Sequence, residues 1–404
     1  MFLFNTNLRV GDIILVRGAK KHSKIIAKLT DGHFSHAMIS LENDIFLEAI
    51  TGSGVQTTSS LRVSIKDISN VVVLRCKFPD EQTELRTLVY ISQNYAGYQG
   101  RRYSYKGAME AIKKSGGNKT NGGYFCSHLI AAIYTDAGFP LLKKPEYKVT
   151  PNELLESTVL EDITDKVISP YSDIALKRIR DKGDEVNCID ARGETLSKDA
   201  HNHNKLLETT KKYFIRYAGV TPHRCGDFLD ILTDSKNDIF AKKLDYQLSK
   251  AYRKIGINEY IRSEIERDHF EEDESILMSE IELFGYEYAN ELYGSYNYLL
   301  VTKIVKFLNE KSNLDNFQIF YDKWKFKYFA LKVEYITLNI EAVSSVMDNC
   351  LNTIKAIEYR FPDKFDELQE TKVQTVRYVV NKQVEPEQKA ALVAFLLTFD
   401  SKSV

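Results

Sequence analysis

Two textures of apolar and polar residues divide this chain. In the first half, short and mostly apolar runs at 12–17, 36–40, 45–50 and 71–75 are broken by the turn clusters at 52–54 (GSG), 115–118 (SGGN) and 121–123 (NGG). Runs of that length bounded by Gly and Asn predict β-strands. From about Lys205 to Thr398 the apolar residues recur at three- and four-residue spacing instead, as at Leu277, Ile281, Phe284 and Tyr288. That period lines them along one stripe of a helix and predicts an array of packed amphipathic helices. No fixed period marks a known helical repeat. Between the textures lies Lys182–Asn204, a polar stretch with few large apolar groups and therefore a candidate linker. The expected organisation is a domain over 1–180, a linker over 181–204 and a helical domain over 205–404.

Composition agrees with two domains, because 404 residues with 43% hydrophobic and 27% charged content exceed one typical core. Fifty-five basic against 56 acidic residues leave a net charge of -1, so no global cationic field points to nucleic acid or an anionic membrane. The balance is uneven, with 24 Lys and Arg against 18 Asp and Glu in 1–180 and 31 against 38 in 181–404. A local patch is compatible with that imbalance. Five cysteines, at 76, 126, 188, 225 and 350, form no CxxC pair, and their odd number fits a reducing compartment. Polar residues interrupt the N-terminal run after Phe4, and no stretch approaches the roughly 20 apolar residues of a membrane span, so a soluble, cytoplasmic protein is expected.

Two polar clusters read as ordinary surface. The acidic stretch Glu264–Glu274 is expected to be a solvated helix end or loop. His201 and His203 sit in the expected linker without a metal-ligand pattern around them. No Gly-rich phosphate loop and no His, Cys and carboxylate cluster at ligand spacing is present, so no cofactor and no metal are expected.

Chemistry enters with Cys126. The 121–123 turn precedes it, and Leu129, Ile130 and Ile133 follow at helical spacing, so Cys126 is expected to open a helix. There the unsatisfied backbone N–H groups and the macrodipole favour a thiolate, the better nucleophile, and the same N–H groups suit an oxyanion. A lone cysteine at a helix start is also a common small buried hydrophobe. His36 and Glu48 add a second element. If Ile39–Leu41 and Asp44–Phe46 flank a turn centred on Glu42, a hairpin pairs 40 with 44, 38 with 46 and 36 with 48. His36 and Glu48 then face one another, close enough for the carboxylate to hold the imidazole in one tautomer. That is the orienter and base of a nucleophilic site, or equally a surface cross-strand pair. Met38 and Phe46 would share that face as an apolar floor. His33 lies ahead of the strand, and His128 is about 200° around the helix from Cys126, so neither is expected to be the base.

Gly11–Ile14, Phe34-Ser35-His36-Ala37, Leu47-Glu48-Ala49, Phe125-Cys126-Ser127-His128-Leu129 and the downstream Thr150–Leu154 together resemble the permuted NlpC-type, papain-like cysteine hydrolases of the YiiX/YaeF-like branch, over roughly 8–168. The order His, Glu, Cys is the mark of permutation. The resemblance implies an α+β fold in which an antiparallel sheet carries His and acid and a packed helix presents Cys, here followed by an all-helical domain. It implies Cys126 as nucleophile, His36 as general base and then acid, and Glu48 as the orienter of His36. Tyr103 falls in a tyrosine-bearing stretch before the Cys helix, where packing and a substrate or oxyanion contact are both open.

The expected function is a thiol hydrolase of a peptide or isopeptide bond, working through a thioester acyl-enzyme. The alternatives are a lipid acyltransferase or thioesterase of the same fold, and a non-catalytic protein-binding module. The expected partners are a peptide, amide or acyl-ester substrate and no nucleic acid. Peripheral lipid contact is considered through the short basic segment His22–Lys28, and a protein partner through the helical domain.

Overall fold

The computed structural model describes residues 1–5, 7–17, 33–42, 45–59, 63–112, 123–173, 176, 188–192, 197–234, 238–268, 274–382 and 389–390. The basic segment 22–28 and the turn at 115–118 lie outside them. Contacts divide the chain into two units, Met1–Leu207 with Pro222–Phe228 and Glu208–Thr221 with Leu229–Val404. The architecture is α+β, with antiparallel sheets and helices in the N-terminal region and helices alone in the C-terminal one. Among the described residues no helix is long and apolar enough to cross a membrane.

The first unit is built on a six-stranded antiparallel sheet. Its strands are β2 (Ile13–Val16), β3 (His36–Leu41), β4 (Ile45–Ile50), β5 (Gly54–Ser59), β6 (Val71–Cys76) and β7 (Leu160–Asp162), in the spatial order β5-β4-β3-β2-β6-β7. A short pair, β1 (Phe2–Phe4) with β8 (Ile168–Pro170), completes the β structure. The four strands expected from apolar runs are all present. β2 reads Ile-Ile-Leu-Val with every residue buried, as a central strand covered on both faces requires. β5 reads Gly-Val-Gln-Thr-Thr-Ser, and its polar content hid it from the apolar pattern.

The hairpin register differs from the expected one. Met38 pairs with Glu48, Ser40 with Phe46 and Leu41 with Ile45, a register two residues away from the expected pairing of 38 with 46 and 40 with 44. Leu41 is 4% exposed, so its pairing with Ile45 keeps a large apolar side chain buried at the end of the hairpin. The pairing shifts by two, an even number, so His36 and Glu48 stay on one face but become diagonal rather than direct neighbours. Met38 and Phe46 alternate onto that face and join a core with Ile14, Val16, Val71 and Val73.

Three helices frame the sheet: α1 (Glu81–Tyr98), α2 (Tyr105–Ile112) and α3 (Cys126–Asp136). α3 packs against β3 and β4, and every residue from Cys126 to Tyr134 is buried, which makes it a core helix. The short α4 (Pro151–Leu155) starts on a capping box, with the Glu153 carboxylate accepting from Thr150 N and Oγ1 at 2.9 Å each. α5 (Thr164–Val167) and α6 (Ile189–Arg192) follow, and then α7 (Lys198–Ala218).

The expected linker 181–204 carries structure of its own. Asp190, 4% exposed on α6, accepts from Lys66 N at 2.8 Å, Asp67 N at 2.9 Å and Asn70 Nδ2 at 3.2 Å. Residues 198–204 are already helical. Ile189, 8% exposed, joins the core beside Val63 and Ile65, so the described part of the stretch is held by hydrophobic burial as well as by these hydrogen bonds.

In the second unit α9 (Asp238–Ile255), α10 (Ile257–Asp268), α11 (Glu274–Trp324), α12 (Lys327–Arg360) and α13 (Phe365–Lys382) follow α8 (Asp227–Thr233), which begins at the boundary between units. α11 breaks at Gly285, whose φ of 79° interrupts the helix between Leu277 and Ile281 on one side and Tyr288 on the other. Lys325 and Phe326 join α11 to α12, and the buried Asp245 of α9 caps the start of α12 by accepting from Lys327 N at 3.0 Å and Tyr328 N at 2.8 Å.

Candidate active site

Cys126 is the first residue of α3, preceded by Phe125 in an extended conformation (φ −106°, ψ 168°) without a side-chain cap. The N–H groups of the first turn therefore gather at the end of the helix that carries the thiol. The edge of the sheet brings it there. Val55 N donates to Arg101 O at 2.8 Å and Gly100 N donates to Val55 O at 2.8 Å, so residues 100–101 add to the outer edge of β5. Gly54 permits this approach: its φ is +74°, and a Cβ there would stand 2.2 Å from Arg101 O. The following residues then bridge to the helix start, with Tyr124 N donating to Arg102 O at 2.8 Å and Ser104 N to Tyr124 O at 2.9 Å. Two residues later the chain reaches Cys126. Ser127 anchors the first turn by donating to Val149 O at 2.8 Å.

His36 opens β3, and the segment before it is clamped. Asn152 of α4 accepts from Phe34 N at 3.0 Å and donates to Phe34 O at 3.1 Å, a two-bond grip two residues ahead of the ring. His36 Nε2 lies 2.7 Å from Glu48 Oε2. The ring also hydrogen-bonds the Cys126 side chain, so one imidazole joins the thiol to the carboxylate. With Nε2 engaged by Glu48, Nδ1 is the nitrogen left for the thiol.

Glu48 is 3% exposed, and three hydrogen bonds offset the cost of burying it. Its Oε1 accepts from Gln56 Nε2 at 3.0 Å and Thr58 Oγ1 at 2.7 Å, while Oε2 serves His36. Gln56, 1% exposed and directly opposite Glu48 in the β4–β5 pairing, uses its own oxygen to accept from Ser197 N at 3.0 Å. The chain of contacts therefore runs from the residue before α7 to the thiol.

Electrostatics follow from this arrangement. Burial alone presses the His36 pKa down and is the largest single influence, but hydrogen bonds and charge at Cys126 and Glu48 outweigh it and hold the ring well above the usual histidine value. Burial pushes Glu48 up, and the His36 contact with help from Gln56 and Thr58 brings it below the ordinary glutamate value. The arrangement favours uptake of a proton by the ring.

The other candidates lie elsewhere. His128 is 5% exposed, stacks near Tyr124 and Phe125 at 4.7 and 5.3 Å, and is pushed down to about 4 by burial, which keeps it neutral. His33 is exposed. Tyr103 packs edge-on against Tyr105 at 5.0 Å while its backbone bridges Tyr124. His203 pairs with Asp199 one turn earlier on α7 at 3.3 Å. Residues 264–268 of the acidic stretch end α10, and 269–273 lie outside the described residues. Among the described residues no group of three or more His, Cys, Asp or Glu is arranged to hold a metal ion.

Gln56, Thr58, Asn152 and Ser197 were not picked out from sequence. The first two carried a faint signal, since positions 56 and 58 alternate on one face of a Thr-rich run. Asn152 stood within the 150–154 stretch, but a backbone clamp has no sequence signature.

No protein-family model matches the sequence, and no curated protein matches it. Among solved structures, the chain is similar to the metalloprotein YiiX from Escherichia coli O157:H7, at a TM-score of 0.27 and 17% identity, over 39% of this chain and 96% of that one.

Proposed function

We propose that the first unit is a thiol hydrolase of the permuted papain-like kind, cleaving an amide bond of a peptide or isopeptide through Cys126, His36 and Glu48. The observation that supports this reading is the doubly engaged ring of His36, hydrogen-bonded both to a thiol at a helix start and to a buried carboxylate 2.7 Å away. A surface pair would not bury its carboxylate to 3% exposure and supply it with two further donors.

In the proposed cycle His36 Nδ1 takes the Cys126 proton, and the sulfur attacks the substrate carbonyl carbon as the carbonyl π pair moves to oxygen. Backbone N–H groups at the start of α3 hold that oxyanion. Collapse breaks the C–N bond, His36 protonates the departing amine, and a thioester remains on Cys126. Water then attacks the thioester, giving its proton to His36, and the second collapse releases a carboxylic acid and returns the proton to sulfur. Glu48 keeps Nε2 hydrogen-bonded throughout, so the ring turns only Nδ1 to the reaction.

The test is labelling of the full chain with a peptidyl acyloxymethyl ketone, followed by intact mass and peptide mapping, and then a panel of amide and ester substrates. One adduct at Cys126 and turnover of amides are expected. Equal labelling of Cys126→Ala, or turnover confined to esters, would overturn the reading.

A further inference from the structure

The second unit carries a surface that the proposed chemistry does not use. On α9, Ile239, Lys242, Lys243, Tyr246 and Lys250 fall within a narrow arc of the helix, while Ala241, Leu244, Leu248 and Tyr252 are buried on the other side. The outer arc is apolar as well as cationic, with Ile239 63% exposed, Tyr246 54% and Phe240 41%. A row of rings extends it onto α7: Tyr213 stacks on Tyr217 at 6.4 Å, and Tyr217 stacks on Phe240 at 6.2 Å. Cations cap the row, with Lys212 over Tyr213, Arg216 over Tyr217 and Lys243 over Phe240 at 5.0, 5.5 and 5.9 Å. An open groove of about 410 Å³ runs between Tyr217 and the α9 arc, and among the described residues its lining is Tyr217, Ile239, Lys242, Lys243, Tyr246 and Gln247.

Charge makes this surface unusual. Residues 181–404 carry 31 basic against 38 acidic groups, yet the lysines here gather on one face together with exposed aliphatic and aromatic groups. Lysines with long stems beside an exposed isoleucine, phenylalanine and tyrosine are what an anionic bilayer interface selects, since the rings and aliphatics enter the headgroup boundary while the ammonium groups meet lipid phosphates. A nucleic acid would draw on the rings and the cations, but the most exposed apolar group, Ile239, has no planar face for a base.

We infer that the α7–α9 surface formed by Tyr213, Tyr217, Ile239, Phe240, Lys242 and Lys243 docks the protein on an anionic membrane. This binding stands apart from the reaction proposed for Cys126, because every residue in it belongs to the second unit.

The full chain should sediment with vesicles of phosphatidylcholine and phosphatidylserine (about 30%) and stay in solution with phosphatidylcholine alone, with binding that weakens as salt rises. Lys242→Gln with Lys243→Gln should weaken binding about 25-fold, at about fivefold per lysine. Ile239→Ser with Phe240→Ser should abolish it, while Tyr359→Ser, at a 90% exposed site away from this surface, should leave it unchanged. Circular dichroism establishes that each variant is folded, and the lysine pair, exposed on α9, keeps the test open if the apolar pair unfolds. Equal binding to neutral vesicles, no loss in either double variant, or retention of a single-stranded oligonucleotide without vesicle binding would each overturn the inference.

Discussion

Replacing Glu48 by Gln changes one atom in the centre of the proposed site and tests its logic most directly. The carboxylate accepts from Gln56 and Thr58 at Oε1 and meets His36 at Oε2, so an amide fits badly in either orientation. With its oxygen toward Gln56 and Thr58, its NH₂ faces His36 Nε2, and the ring can accept there only by carrying its hydrogen on Nδ1. That tautomer has no lone pair for the Cys126 proton. With the amide flipped, its NH₂ meets the Gln56 Nε2 donor. Losing one buried charge-assisted hydrogen bond costs about 1.5–3 kcal/mol, or about 10- to 150-fold in rate. The wrong tautomer extends the loss toward about 10⁴-fold, as in other triads. The second-order rate of Cys126 labelling should therefore fall between about 10²- and 10⁴-fold, measured by intact mass against time across pH 5–9.

The same variant has a pH signature. Glu48 raises the His36 pKa through a hydrogen bond and through charge, so its loss lets burial dominate and the imidazole midpoint moves down, which nitrogen-labelled histidine NMR resolves. Stability responds on two limbs. A carboxyl depressed below 4.5 stabilises the fold above that pH and loses its contribution as pH falls through the depressed value. An imidazole raised above 6.5 stabilises the fold below that pH and loses its contribution as pH rises through the raised value. The pair thus contributes fully between about 4.5 and 6.5, so Glu48→Gln should lower urea stability most within that window and shrink its falls below and above it. Labelling at the wild-type rate with an unmoved histidine midpoint would refute the reasoning.

Cys126→Ala should abolish adduct formation while shifting urea stability by less than about 1 kcal/mol, since a small buried group replaces another. Gln56→Leu strips a donor from Glu48 and the acceptor of Ser197 N, so it should cost about 1–3 kcal/mol and slow labelling about tenfold, read by denaturation and by mass. Asn152→Ala releases both backbone bonds at Phe34 and should cost about 1–3 kcal/mol, with slower labelling because the approach to His36 loosens. Asp190→Ala should cost about 2–4 kcal/mol in urea stability by orphaning Lys66 N and Asp67 N, and leave labelling nearly unchanged.

Local pattern alone delivered the pieces of this protein. Short apolar runs bounded by turn residues marked β2, β3, β4 and β6, three- and four-residue spacing marked the helical region, and a Gly-rich turn before an apolar stripe put Cys126 at a helix start, because each of these follows from side chains within a few residues of one another. The same local alternation put His36 and Glu48 on one face. It did not decide their register, because the pairing of Leu41 with Ile45 depends on what packs against both strands and not on alternation within either. Nor did it reveal the support around the carboxylate. Gln56, Thr58 and Ser197 matter through the partners that folding brings to them from as far as 141 residues away. Asn152 is silent in sequence for the same reason, since it holds a backbone 118 residues distant. The α6 turn escaped notice because its anchors are one aspartate on three donors and a lone Ile189 in the core, too few apolar positions to form a periodic pattern. Hydrophobic periodicity records which face a residue turns inward; which partner waits there is settled only when the distant strands and helices close around it.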